Sequence, residues 1–225
     1  MTAHAYGALV GLLDEVYEAT TRVVTELDEA SFERRTRTER WSVKELLFHQ
    51  MGDAQRALIV LTTSPEAVPD TTEVSYWSSW QPGQAAADDH ARYAIRSAAA
   101  YGRAASLVAQ WTETSRAAVR AVRNHGPEGA VATQGHVLDA ADFVHTLVVE
   151  GVVHHLDLTL EVPSPGLPDE AYTLVTEVLT GLLGAALPPG WSSEDAVLKG
   201  TGRPGLTPHD RAELGAGAER FPLFG

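Results

Sequence analysis

The stretch that decides the fold is residues 138–160, LDAADFVHTLVVEGVVHHLDLTL. Its aliphatic residues fall on most sides of a helix and not on a single stripe; they are Val144, Leu147, Val148, Val149, Val152, Val153, Leu156, Leu158 and Leu160. A helix that is apolar nearly all round lies in the interior of a protein. The stretch therefore predicts a central, buried helix.

Three further helices are predicted upstream of it. Apolar residues recur in steps of three and four over residues 6–27, which is typical of an amphipathic helix. A second helix is predicted over residues 41–61, where Ser42 is the N-cap and Glu45 closes a capping box. A third is predicted over residues 88–124 as one continuous helix. Since no period of 20 to 50 residues recurs, four such helices favour a four-helix bundle over a solenoid.

The chain downstream of residue 162 has a different composition. Prolines and a glycine over residues 163–168 mark a linker, and a fifth helix is predicted over residues 170–187. Residues 196–200, AVLKG, are interpreted as a short strand, and residues 207–211 as a capped helical turn. We therefore predict a mainly α protein in two parts. Residues 1–162 form the bundle, and residues 163–225 form a small α/β C-terminal appendage with a helix, short strands and a tail.

Composition and charge exclude several classes of protein. The chain has 225 residues, of which 44% are hydrophobic and 21% charged, as in ordinary globular proteins. The formal charge of −13 opposes binding to nucleic acid or to an anionic membrane. There is no cysteine, which excludes disulfides, thiolate metal sites and a cysteine nucleophile. No stretch reaches the roughly 18 to 20 apolar residues of a spanning helix, and the start lacks the features of a signal peptide, so we expect a cytoplasmic protein.

A candidate metal site lies on the buried helix. Glu150 and His154 are four residues apart and share one helix face, within a segment that is otherwise almost entirely aliphatic. A buried carboxylate is costly unless a cation compensates it, and imidazole is a natural second ligand. His49, near the middle of the second helix, is the leading candidate for a third ligand. Two histidines and one carboxylate leave coordination positions open, as in catalytic metal sites.

Other interpretations of these residues stay open. Glu150 and His154 also fit a buried hydrogen-bonded pair, and His49 also fits an isolated core histidine. His155 points roughly 100° away from His154 around the helix and is interpreted as a packing residue.

Carboxylates and aromatic residues near the three candidates suggest supporting roles. Asp53 and Asp157 are candidates to orient the rings of the two histidines, with solvated or capping carboxylates as the alternative. Trp77 and Trp80 lie in an unusually long connection, residues 62–87, and are candidates for a wall or lid over the site, or for loop anchors. The G-x-S-x-G, P-loop, G-x-G-x-x-G and H-E-x-x-H motifs are all absent.

The sequence resembles the DinB-like bundles, and within them the mycothiol-dependent maleylpyruvate isomerase group of actinobacteria. The resemblance is carried by the motifs Trp41-Ser42-Val43-Lys44-Glu45-Leu46-Leu47-Phe48-His49 with Asp53, Glu150-x-x-x-His154 with Asp157, and Leu198-Lys199-Gly200-Thr201-Gly202 to Phe221-Pro222-Leu223-Phe224-Gly225. These motifs lie near the start, the middle and the end of the chain. The resemblance implies that His49, Glu150 and His154 hold a divalent metal, usually zinc.

The resemblance also implies that the sulfur nucleophile comes from a thiol co-substrate. In this group a low-molecular-weight thiol, typically mycothiol, attacks an electrophilic carbon after activation by the metal. The group implies an important arginine in the C-terminal lobe; Arg203, Arg211 and Arg220 are available, and Arg203, with Trp77 and Trp80, is our candidate for contact with the thiol or the substrate.

Three functional hypotheses follow. The first is a thiol S-transferase, which we prefer because the aromatic connection suggests an electrophile larger and flatter than maleylpyruvate. A maleylpyruvate-type cis–trans isomerase ranks second within this class. The others are a non-catalytic metal- or ligand-binding bundle and a metal-dependent hydrolase. A monomer or a weak homodimer is expected.

Overall fold

The computed structural model describes residues 2–38, 40–63, 65–79 and 85–225. In chain order the elements are α1 (Ala3–Thr25), α2 (Val43–Val60), α3 (Ala85–Ala99), α4 (Ala104–His125), β1 (Ala130–Thr133), β2 (His136–Asp139), α5 (Ala140–Leu158), α6 (Asp169–Leu183), α7 (Ser193–Gly200) and α8 (Pro208–Leu214). Short 3-10 helices lie at Glu29–Glu33, Ser75–Ser79 and Gly215–Arg220. The predicted mainly α fold with a small β element is confirmed.

The core is a four-helix bundle with α5 at its centre. Helices α1 and α2 each pack against both α4 and α5. Val144, Val148 and Val152 of α5 are completely buried, in agreement with the apolar surface that the sequence gives this helix. Helix α2 starts where predicted, at the capping box in which the backbone N–H of Ser42 donates to Glu45 Oε2 over 2.7 Å.

The prediction of one continuous third helix is wrong. The chain forms α3 and α4, separated by a short turn in which the N–H groups of Ala100 and Tyr101 bond three residues back. Helix α4 then starts afresh, because Glu29 Oε1 accepts a hydrogen bond from the N–H of Ala104 over 2.8 Å. A side chain 75 positions away thus stabilises the start of α4.

A β-hairpin, absent from the sequence prediction, precedes α5. Strands β1 and β2 are antiparallel and are joined by Gln134 and Gly135, both with positive φ (50° and 86°), as in a two-residue type I′ turn. Helix α5 therefore begins at Ala140, slightly later than the predicted residue 138. The long connection after α2 lies along this hairpin, since the N–H groups of Asp70 and Thr71 both donate to the carbonyl of Val137.

The extension after residue 162 is helical in the part for which a strand was predicted. Residues 196–200 belong to α7, because Ser192 and Asp195 form a capping box and Ala196, Val197 and Gly200 are buried on one helix face. The pair of strands lies instead in the hairpin before α5. The predicted fifth helix is α6, which ends early, at the left-handed Gly184, and the predicted turn at residues 207–211 is α8.

The extension packs against the bundle through α6, which contacts α5, and through its tail. The ring of Phe224 lies on Trp77, with 4.5 Å between ring centroids. The boundary between residues 162 and 163 stays a prediction. Among the helices described, none has both the length and the apolar character that a membrane crossing requires.

Candidate metal centre and pocket

The packing of α2 against α5 brings the three predicted metal ligands together. His49 comes from α2, and Glu150 and His154 come from one face of α5. Nε2 of His49 lies 3.0 Å from Nε2 of His154 and 3.8 Å from Oε2 of Glu150. Nε2 of His154 lies 3.1 Å from the same Glu150 oxygen. All three ligand atoms lie within 4.8 Å of one another, and they form the one such group in the described part of the chain.

The hydrogen bonds on the far side of His154 favour a cation at this point. Nδ1 of His154 lies 3.0 Å from Oδ2 of Asp157, and a carboxylate can only accept, so the proton of the neutral ring is on Nδ1. The Nε2 lone pair of His154 then points toward His49 and Glu150. Two nitrogens and a carboxylate oxygen that converge in this way repel one another unless a proton or a metal lies between them. The donor set therefore fits a divalent metal with coordination positions left open.

The electrostatics of the three residues agree with this preference for positive charge. Burial by itself would lower the pKa of His154, but its hydrogen bonds to Asp157 and Glu150 outweigh burial and raise the pKa to about 9. Burial would raise the pKa of Glu150, but hydrogen bonds and charge from His154 and His49 hold it well below its usual range. Without a metal, His154 therefore stays protonated at neutral pH.

Asp157 connects His154 to the C-terminal extension. Its side chain is completely buried and accepts two hydrogen bonds from Arg203, over 2.9 Å from Nε and 2.7 Å from Nη2. Burial would raise the pKa of Asp157, but Arg203 and His154 lower it to about 2. Arg203 also donates to the carbonyl of Thr201 over 2.9 Å. The guanidinium that we expect to contact substrate thus bonds to Asp157, which in turn contacts His154, and it also lines the pocket described below, so contact with substrate stays a prediction.

Asp53 lies near the cluster, but on a different side of His49 from the one expected. Its Oδ2 is 3.5 Å from Nε2 of His49, the nitrogen that faces the other ligands. Nδ1 of His49 instead lies 3.0 Å from Nε2 of His90, on α3. Burial raises the pKa of Asp53 to about 6. The sequence alone does not predict His90 as part of the site, because His90 lies on another helix and has no spacing relation to either motif.

His155 occupies the position that its helical angle predicts. It is completely buried and bonds away from the cluster, with Nδ1 3.1 Å from Oγ1 of Thr20 and Nε2 2.9 Å from Oγ of Ser164. Burial lowers the pKa of His155 to about 4, so the ring is neutral at pH 7. Its two hydrogen-bond contacts connect α5 to α1 and to the linker at residues 163–168.

The three candidate ligands lie in the wall of a pocket of about 800 Å³. The extension contributes much of this wall, including the tail residue Phe224. The buried Trp77, from the connection after α2, contacts Phe224 and also lines the pocket. Trp41 also lines it and lies on His49, with 4.9 Å between ring centroids. Trp80 lies outside the described residues.

Basic residues are concentrated around this pocket, although the whole chain has a formal charge of −13. The lining includes Arg37, Arg40, Lys199, Arg203 and Arg211. Arg203 is neutralised by Asp157, and Lys199 lies 2.8 Å from Asp210. A local concentration of cations favours the entry of negatively charged small molecules.

These features define a class of protein: a helical bundle that presents a two-histidine, one-carboxylate site to a deep pocket. A family model described as the mycothiol maleylpyruvate isomerase N-terminal domain matches residues 13–159. The chain belongs to this family. The match covers both ligand-bearing helices and ends where the extension begins. No curated protein and no solved structure matches the chain.

Proposed function

We propose that the protein is a metal-dependent S-transferase that uses a low-molecular-weight thiol, mycothiol, against an anionic electrophile. The observation that carries this proposal is the convergence of His49, Glu150 and His154 in the wall of a large pocket. The chain has no cysteine, so the sulfur has to come from a second substrate. A divalent metal, zinc in our proposal, lowers the pKa of a coordinated thiol and so supplies a nucleophile at neutral pH.

The residues of the chain have separable roles in this proposal. His49, Glu150 and His154 hold the metal, and Asp157 with Arg203 keeps the Nε2 lone pair of His154 directed at it. Trp77 and Phe224 give the pocket an apolar wall, against which a flat electrophile can lie.

Charge selects the electrophile. Arg211 lines the pocket. Among the residues that the structure describes, none forms a hydrogen bond or an ion pair with its guanidinium. It is therefore available for a carboxylate or another anionic group of the substrate.

S-transfer and isomerisation differ in one step. In S-transfer to an activated double bond, a sulfur–carbon bond forms, and the thiol proton reaches the neighbouring carbon through solvent. In isomerisation the same bond forms, the carbon skeleton rotates, and the bond breaks again to release the thiol. The basic lining favours a small dianion such as maleylpyruvate, which makes the isomerase the second candidate. The apolar wall and the pocket volume favour the S-transferase.

The test begins with metal analysis of tag-free protein by mass spectrometry. The protein is then incubated with mycothiol and either maleylpyruvate or a larger aromatic, carboxylate-bearing acceptor. A product with the added mass of the thiol supports S-transfer. An isomer of unchanged mass, formed only with thiol, supports the isomerase. Stoichiometric metal without turnover indicates a binding bundle, and turnover without thiol indicates a hydrolase; either result refutes the proposal.

We further propose that the protein acts in the cytoplasm, where low-molecular-weight thiols are kept reduced.

A further inference from the structure

Three residues on α1 and α2 carry buried polar atoms that the candidate metal centre described above does not use. The hydroxyl of Tyr17, on α1, is buried and has no hydrogen-bond partner in the described ranges. The same is true of Oδ2 of Asp53 and of both amide atoms of Gln50. Buried polar atoms without partners are rare, because each costs about 1 to 3 kcal/mol. Asp53 lies against the candidate ligand His49, and the charges of Asp53 and Glu150 act on the Tyr17 hydroxyl, so these atoms indicate a role at the site.

Tyr17 is close to the metal ligands because of a glycine. A Cβ at Gly151 would lie 3.6 Å from Cε1 of Tyr17, so the tyrosine ring packs against α5 at the residue that follows Glu150. Burial raises the pKa of the Tyr17 hydroxyl, and the charges of Asp53 and Glu150 raise it further. The hydroxyl stays protonated at neutral pH and is a hydrogen-bond donor.

Asp53 offers the matching acceptor. Its Oδ2 is shielded from solvent and lies 3.5 Å from Nε2 of His49. Gln50 precedes Asp53 by three residues, so both side chains leave the same side of α2. A water molecule between these groups would find two or more polar partners, which is what a buried water requires.

We propose that Tyr17 is a positioning residue of the metal centre: through a buried water, its hydroxyl holds the Asp53 carboxylate beside the metal ligand His49. Tyr17 contacts neither substrate nor metal. This inference rests on the proposed function, because it assumes that the cluster binds a metal.

The test compares zinc affinity, by competition with a chelator, for the wild type and Tyr17→Phe. Loss of a residue that supports a metal ligand weakens metal binding by about 10- to 100-fold, and we expect about tenfold here. The visible spectrum of the cobalt form should also change. The melting temperature of the metal-free variant should stay close to that of the wild type, because the variant keeps the ring and the bridging water still has Asp53 and Gln50 as partners.

Tyr6→Phe is the matched control. Tyr6 lies on the same helix and is equally buried, but its hydroxyl donates to the carbonyl of Val122 over 2.9 Å. This variant should lower the melting temperature and leave zinc affinity within twofold of the wild type. Asp53→Ala provides a second arm: in that background Tyr17→Phe should have no further effect on zinc affinity.

The outcomes separate this inference from the proposed function. Wild-type protein that binds no zinc refutes the proposed function. Normal zinc binding by the wild type, with unchanged affinity and cobalt spectrum in Tyr17→Phe, overturns only the role of Tyr17. A tenfold loss that persists in the Asp53→Ala background also overturns it, because Tyr17 would then not act through Asp53.

Discussion

Replacing Arg203 with methionine removes the charge that compensates Asp157 and keeps most of the side-chain volume. Asp157 is completely buried, and its pKa is lowered from 3.8 to about 2. At about 1.4 kcal/mol per pKa unit, this shift corresponds to about 2 kcal/mol of stability at neutral pH. Breaking a buried ion pair from one side typically costs about 3 to 5 kcal/mol. We therefore expect Arg203→Met to lower the free energy of unfolding by about 2 to 4 kcal/mol.

The pH dependence of this contribution follows from the sign of the shift. Because the folded-state pKa of Asp157 is depressed, its contribution is complete above about pH 4 and is lost as the pH falls through about 2. In Arg203→Met the difference from the wild type should therefore be largest near neutral pH and smallest in acid. Urea unfolding of the metal-free proteins at several pH values measures this difference.

The same change should also weaken metal binding, because Asp157 fixes the ring of His154. We expect an increase of about 10- to 100-fold in the Kd for zinc. Arg211→Met is the control, since Arg211 lines the same pocket without contact to Asp157; it should raise KM for an anionic substrate and leave metal affinity unchanged. Wild-type zinc affinity in Arg203→Met together with a raised KM would refute the reasoning and make Arg203 a substrate contact.

Three further predictions concern the ligands, the buried histidine and the glycines. Glu150→Ala and His154→Ala should each release the metal, whereas His155→Gln should retain it; stoichiometric metal in both ligand variants, measured by mass spectrometry, would contradict the site. The pKa of His155 is lowered from 6.5 to about 4, so protonation of its ring favours the unfolded state. The free energy of unfolding should therefore fall by about 3 kcal/mol as the pH drops from about 6.5 to about 4. In His155→Gln the dependence of the free energy of unfolding on pH should be weaker over this range. Gly200→Ala should destabilise the protein by about 1 to 3 kcal/mol, because the new Cβ would lie 2.6 Å from a leucine side-chain atom of α6. Gly52→Ala should instead stabilise α2 by up to about 1 kcal/mol, because no atom lies within 4 Å of its new Cβ. Equal unfolding midpoints for the two variants would contradict this prediction.

The ligand set could be predicted only in part from local spacing. Glu150 and His154 share a face in any helix, so the pair follows from the sequence alone. His49 joins them because α2 packs against α5 in this bundle. His90 could not be predicted, because it reaches the site from α3, which the sequence pattern does not separate from α4.

The extension shows the limits of local patterns most clearly. Residues 196–200 have β-branched and aliphatic character suited to a strand, yet they form a helix. The capping box at Ser192 and the close contact of Gly200 with Leu179 of α6 decide in favour of the helix. Three arginines in this part of the chain matched the expectation from the family, and only the tertiary contacts identify Arg203 as the one bonded to Asp157.

The sequence by itself determined the central buried helix, the capped start of α2, the Glu150 and His154 pair and the absence of a cysteine. Each of these depends on residue composition or on residues within a few positions of one another, where helical geometry fixes which side chains meet. The tertiary structure alone decided where the third helix breaks, that a hairpin precedes α5, and that His90 contacts His49 and Arg203 bonds to Asp157. These features depend on contacts between residues far apart in the chain, and burial and hydrogen bonding in the folded state override local preference there.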